Sequence, residues 1–295
     1  MMRHVFVVLL LSGCASALAQ QDFSAVQITT QKAGEGIYML QGAGGNIAVS
    51  VGDDGVFIVD DQYAPLSDKI KAAIAELSDQ PVSFVLNTHW HGDHTGGNES
   101  FGESGSIIVA HDNVYTRMSN EHVAHFFGGR KIPPSPPVAL PRITFTERVT
   151  LQLNGGVHAI HAPHAHTDSD AMIYFEGPNV LHMGDLFFNQ MYPFIDLDSG
   201  GAINGVIDAL NRGLMLADAE TAIIPGHGPL TDRAGMQSYR DMLVTIRDRV
   251  KALKDEGKSL EEVIEAQPGG KFDDELGGGF IKPGALVTFM YRSLP

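Results

Sequence analysis

The stretch Asn87-Thr88-His89-Trp90-His91-Gly92-Asp93-His94 directly follows the apolar run Val82–Leu86, and it packs four metal-ligating side chains into six residues. The apolar run reads as a buried strand. Positions two apart on an extended exit point the same way, so His89 and His91 can grip one cation while Asp93 and His94, after the turn, face a neighbouring one. The spacing suits two cations better than one. A lone histidine is more often exposed, or hydrogen-bonded in a core, than a ligand. Three of them with an aspartate beside Gly92, Gly96 and Gly97 make a metal-site pattern instead.

Around this stretch, residues 37–40, 46–51 and 55–60 are short apolar or alternating runs separated by glycine-rich or Asp-Gly turns, and read as hairpin-linked strands. Ser67 reads as the N-cap of a helix carrying Ile70, Ala73, Ile74 and Leu77 on one face, closed by Pro81. A further strand is expected at 107–110, and strand-helix alternation dominates this half, the pattern of an α/β protein. Pro133, Pro134, Pro136, Pro137 and Pro141 argue against regular structure over 131–141 and mark a long surface connection or a divide between sub-domains. Runs at 143–145, 149–153, 157–160, 171–175, 180–183 and 222–224 predict a second sheet, with helices near 203–216, 232–254 and 286–293. No fixed-period repeat is present.

Residues 1–19 read as a secretory leader, since Arg3 and His4 precede a short apolar run and a small-residue stretch. The run is far shorter than the roughly 20 residues of a membrane span. Ala17-Leu18-Ala19 offers an ordinary cleavage site, while Leu11-Ser12-Gly13-Cys14 resembles a bacterial lipoprotein signal that would end the leader at residue 13 and anchor the chain through Cys14. Both routes point to a periplasmic or secreted protein. Cys14 is the only cysteine, so residues 20–295, read as one domain, have no thiol for disulfides, metal ligation or nucleophilic catalysis. With 20 Lys+Arg against 35 Asp+Glu and no basic cluster, a nucleic-acid partner is not expected.

The motif His89-x-His91-x-Asp93-His94 resembles the H-x-H-x-D-H signature of the metallo-β-lactamase superfamily, and the resemblance extends over about residues 35–230. Later pieces match in order: His166 in His166-Thr167-Asp168, Asp185 in Met183-Gly184-Asp185, and His227 in Gly226-His227-Gly228. The resemblance implies a four-layer αβ/βα sandwich of two mixed sheets flanked by helices. It further implies that His89, His91 and His166 hold a first metal, that Asp93, His94 and His227 hold a second, and that Asp185 bridges them. His164 competes with His166, which is preferred for the Thr167-Asp168 that follows it. His182, His111, His122, His125 and His158 read as core or surface histidines, and Trp90 and the Phe126-Phe127 pair as core aromatics or groove-lining ones.

Two close cations lower the pKa of a shared water, so a metal-bridging hydroxide can attack a carbonyl without a protein nucleophile, with Asp93 and Asp185 as the catalytic carboxylates. Zinc, two per chain, is the expected metal, and iron or manganese would also suit imidazole and carboxylate donors. The expected function is a hydrolase acting on a small molecule. An exported enzyme favours a β-lactam or related cyclic amide, with a lactone or a thioester as alternatives. A non-catalytic metal-binding protein is the alternative of another class. The best-known zinc β-lactamases carry cysteine where this chain has Asp185 and a lysine soon after, whereas here Leu186, Phe187, Phe188 and Asn189 follow. Arg117, Arg130 and Lys131 read as surface charge or as a substitute substrate anchor.

Overall fold

The computed structural model describes residues 22–126 and 128–295, so the leader, both processing sites with Cys14, and Phe127 lie outside the described residues. A meander of β1 (Thr29–Gly34), β2 (Ile37–Gln41), β3 (Ile47–Gly52) and β4 (Gly55–Val59) opens the first sheet. The chain then alternates through α1 (Ser67–Ala75), β5 (Val82–Leu86), α2 (Gly92–Thr95), α3 (Asn98–Glu103), β6 (Ile107–His111) and α4 (Asp112–Met118). A small hairpin of β7 (His122–Ala124) and β8 (Arg130–Ile132) precedes β9 (Ile143–Phe145). Strands β5, β6 and β9 add in parallel to β4, so the seven-stranded sheet is mixed.

The second sheet takes β10 (Arg148–Leu151), β11 (Val157–His161), β12 (Ala171–Phe175) and β13 (Val180–His182) in antiparallel order. Helix α5 (Ile203–Leu216) then crosses to β14 (Ala222–Ile224), parallel to β13, and β15 (Thr231–Asp232) closes the edge. Helices α6 (Arg233–Asp255), α7 (Leu260–Glu265), α8 (Lys271–Leu276) and α9 (Pro283–Ser293) finish the chain. Among the described residues no helix is long and apolar enough to cross a membrane.

Period-two alternation explains the layering. Phe57 and Val59 of β4 join Ala171, Ile173 and Phe175 of β12 in the core between the sheets, where the Phe57 and Phe175 rings stack at 6.3 Å. Val56 and Ile58 point to the opposite face and pack under Ile70 and Ile74 of α1. On the outer face of the second sheet, Met172 and Leu181 meet the apolar sides of α5, α6 and α9. The result is the expected helix-sheet-sheet-helix order.

Three local expectations change. Strand β9 pairs with β6 in the first sheet, not the second, because the chain crosses between sheets only after Phe145. Ser67 is the first helical residue of α1 and no cap, since a preceding turn at Ala64–Leu66 already takes its N–H onto the Ala64 carbonyl; the helix ends at Ala75, well before Pro81. The proline-rich segment holds the last residues of β8 and a short turn at Pro137–Ala139, where the fixed φ of proline suits a helical first position. Strand β1 has no counterpart in the sequence reading. Its side chains are mostly exposed, so the apolar alternation that marks a strand is missing.

Candidate metal centre

Parallel strands end together at one rim of the sandwich, and the loops leaving them carry the polar residues. His89 and His91 follow β5 and Asp93 and His94 lie in the short α2; Asp185 follows β13 and His227 follows β14. His166 arrives on the loop between β11 and β12. The structure brings all seven predicted residues together. Their ligand atoms fall into two groups, His89/His91/His166/Asp185 and Asp93/His94/His227, within each of which the atoms lie no more than 4.8 Å apart. Asp185 faces both groups. Its Oδ2 stands 3.5 Å from His166 Nε2 and 3.8 Å from His89 Nε2, and its Oδ1 stands 3.1 Å from His94 Nε2 and 3.4 Å from His227 Nε2.

The outer hydrogen bonds set the tautomers, and these decide what the centre can hold. His91 Nε2 donates to Asp196 Oδ2 at 2.9 Å, and His166 Nδ1 donates to the Phe194 carbonyl at 2.8 Å. Asp60 Oδ2 accepts from His94 Nδ1 and from Thr88 Oγ1, both at 2.7 Å. Since the Thr88 proton is used on Asp60, its oxygen accepts from His89 Nδ1 at 3.0 Å. Every assigned proton thus points outward. The bare nitrogens point inward: His91 Nδ1 stands 2.9 Å from His166 Nε2 and 3.2 Å from His89 Nε2. Lone pairs that close repel unless a cation lies among them. Asp185 Oδ1, enclosed beside two imidazoles, makes no contact with the alignment of a hydrogen bond. The donor set therefore fits divalent cations, with nitrogen and carboxylate oxygen ligands of the type zinc prefers.

Charge supports the same picture. Burial pushes His89 well below the usual imidazole range and His166 down to about 4, so both offer neutral lone pairs at ordinary pH. Burial opposes charge on His94 and His227 too, yet the Asp185 and Asp93 carboxylates outweigh it, raising His94 well above its ordinary value and His227 to about 9. Asp93 and Asp185 remain ionised against burial because His94 and His227 lower both. Without a cation, protons on His94 and His227 take part of its place. Two glycines let the loops come this close. A Cβ on Gly45 would enter the His94 ring and one on Gly226 would strike Asp185 Oδ1.

Other histidines stay apart. His164 is exposed, with φ +52°, and its Nδ1 reaches the Gly200 carbonyl at 3.4 Å. His182 is a core residue bonded to the Asn46 carbonyl at 3.0 Å, and His111 stacks on His161 at 3.7 Å. Trp90 is buried between His91 and His122. Arg117 is held by both oxygens of Asp168 at 2.7 Å, and Lys131 pairs with Glu121 on the surface. Sequence reasoning missed Asp60 and Asp196. Asp60 directly follows β4, at the same rim as the ligand loops, and its position at a strand exit was the available signal; Asp196 had none, lying 105 residues from the histidine it orients.

A family model for the metallo-beta-lactamase superfamily matches residues 41–248. The chain belongs to this superfamily. Curated relatives include a hydroxyacylglutathione hydrolase of Nitrosococcus oceani, 24% identical over 60% of this chain and 60% of the relative. The alpha subunit of a 2,4-dinitroanisole O-demethylase of Nocardioides sp. is 26% identical over 46% of this chain and 39% of its own length. The chain spans roughly half the length of the curated relatives it matches. Among solved structures, a metallo-beta-lactamase from Pontibacter korlensis superposes with TM-score 0.59 at 17% identity over 74% of this chain and 99% of that one. The sec-alkylsulfatase Pisa1 from Pseudomonas sp. gives 0.69 at 15% identity over 90% and 50%. These likenesses establish the metallo-beta-lactamase fold.

Proposed function

We propose that the protein is an exported dinuclear zinc hydrolase that opens a cyclic amide, a β-lactam or a close relative. One observation carries this: Asp185 turns one oxygen to each of two ligand groups whose bare nitrogens converge. In this reading His89, His91 and His166 would hold one cation and Asp93, His94 and His227 the other, with Asp185 available to both. Such a pair supplies, when bound, a water of lowered pKa and a Lewis acid for a carbonyl oxygen. Asp93, partly exposed beside His227, would orient an attacking water by accepting its hydrogen bond. Asp196 and Asp60 fix the His91 and His94 rings. Export is argued from the leader at residues 1–19, and a periplasmic enzyme meets lactams and lactones before cytosolic thioesters.

Thioester hydrolysis is the second reading, favoured by the likeness to the hydroxyacylglutathione hydrolase of Nitrosococcus oceani. A closed, non-catalytic metal site is disfavoured by access. Side chains of Asp93 and His227 are each 23% exposed, and Phe187 turns inward onto Tyr239. Arg117 is engaged by Asp168, and Arg130 of β8 is exposed.

Metal analysis of purified protein should return close to two cations per chain, and retention of none after mild preparation would defeat the dinuclear reading. A panel of nitrocefin, a long-chain acyl homoserine lactone and lactoylglutathione, run with added zinc, should show turnover of nitrocefin above the others. Preference for lactoylglutathione would move the assignment to the thioester class. Inactivity on all three would favour the non-catalytic one.

A further inference from the structure

We propose that Asp273, acting through Tyr192, is a positioning residue for the metal centre: together they pin the loop that directs His91 and His166 inward, and so set how tightly the His89/His91/His166 group holds a cation. This rests on the metal-centre reading and deepens it. The loop is residues 187–196, between β13 and α5. At one end the Phe188 ring stacks on His227 at 5.2 Å, and the Asn189 N–H donates to the His227 carbonyl at 2.9 Å. At the other end the Phe194 carbonyl accepts from His166 and the Asp196 carboxylate from His91. One loop therefore touches both ligand groups.

Between those ends, Tyr192 ties the loop to the C-terminal helices. Its side chain is buried, and its hydroxyl donates to Asp273 Oδ1 of α8 at 2.7 Å. Burial, with Asp273 beside it, pushes that hydroxyl above its ordinary range, so its proton stays available to the carboxylate. Gly269 supplies the room, since a Cβ there would overlap the Asp273 carboxylate. Helix α8 buries none of its residues, and Asp273 lies beyond the residues matched to the superfamily. Phe194 and Asp196 follow two and four positions after Tyr192, so a shift at Tyr192 reaches both acceptors. A ligating imidazole keeps its orientation only while its outer acceptor stays in place. His94 takes its orientation from Asp60, which this loop does not carry, and the His227 end has its own backbone bond. The effect therefore falls on the His89/His91/His166 group.

In zinc titrations of the full metal-free chain against a chromophoric chelator, Tyr192→Phe and Asp273→Ala are expected to weaken one of two cations by about tenfold, the lower end of what loss of a ligand-orienting partner costs. Asp273→Asn, whose amide oxygen still accepts from Tyr192, should stay within about twofold of the parent. Ile246→Ala, which loosens α6 against the second sheet, controls for lost stability alone and should leave both affinities in place. Parent-like affinity in Tyr192→Phe and Asp273→Ala overturns the proposal, as does an equal loss in Ile246→Ala or no rescue in Asp273→Asn. Tyr192→Phe decides the matter if Asp273→Ala does not fold. If the parent chain takes up no zinc, the metal-centre reading fails by itself. Long-range proton–nitrogen NMR of the histidines then decides the positioning role: Tyr192→Phe should turn a fixed His166 tautomer, protonated on Nδ1, into a mixture, and an unchanged spectrum overturns it.

Discussion

Asp185 stands between the two ligand groups, with its two oxygens addressing different histidines. Replacing it with Asn keeps the volume and removes the charge. Asp185→Asn is expected to bind about one cation instead of two and to lose turnover by about a hundredfold or more; metal analysis with parallel assays checks both, and unchanged turnover would remove Asp185 from its shared role. Asp196 acts one bond further out. With Asp196→Ala the His91 ring loses the acceptor that directs its Nδ1 inward, and cation affinity should fall by about 10- to 100-fold in a competition titration against a chromophoric chelator. A His91 ring that rotates freely offers either nitrogen, so an unchanged affinity would mean that packing, not Asp196, orients it.

The elements divide into those that position the centre and those that hold the sandwich together. Helix α6 packs Leu243 and Ile246, both without solvent exposure, onto the outer face of the second sheet. Ile246→Ala should destabilise the fold by about 2–5 kcal/mol in denaturant unfolding while the cation count stays the same. The loop leaving β14 works the other way. Gly226 lies where a Cβ would strike Asp185 Oδ1, so Gly226→Ala should weaken cation binding with a smaller effect on unfolding. A mutant that binds cations normally would show that the loop can yield.

For the molecule as a whole, cation binding and stability are linked through the protons the cation displaces. His227 is raised to about 9 by Asp185 and Asp93 against an ordinary value near 6.5, a shift opposed by burial. The stability this gives the metal-free chain is complete below about 6.5 and disappears as pH rises through about 9. The Tm of chelator-treated protein should therefore fall across that window, while cation affinity rises over it. Calorimetry at several pH values tests both trends, and a flat metal-free Tm would contradict the raised imidazole. The chemical content of the centre was legible in the chain itself, because ligand type and close spacing at 89–94 are local properties, and so is strand alternation, which located most of both sheets. The convergence of His166, Asp185 and His227 was expected only through the family pattern. What tertiary structure alone decided was which atoms face inward and which sheet β9 joins. Each of these depends on residues far apart in sequence, so no local periodicity encodes them: Asp196 orients a histidine 105 positions away, and β9 pairs with a strand more than 30 residues earlier, across a hairpin and a proline-rich connection.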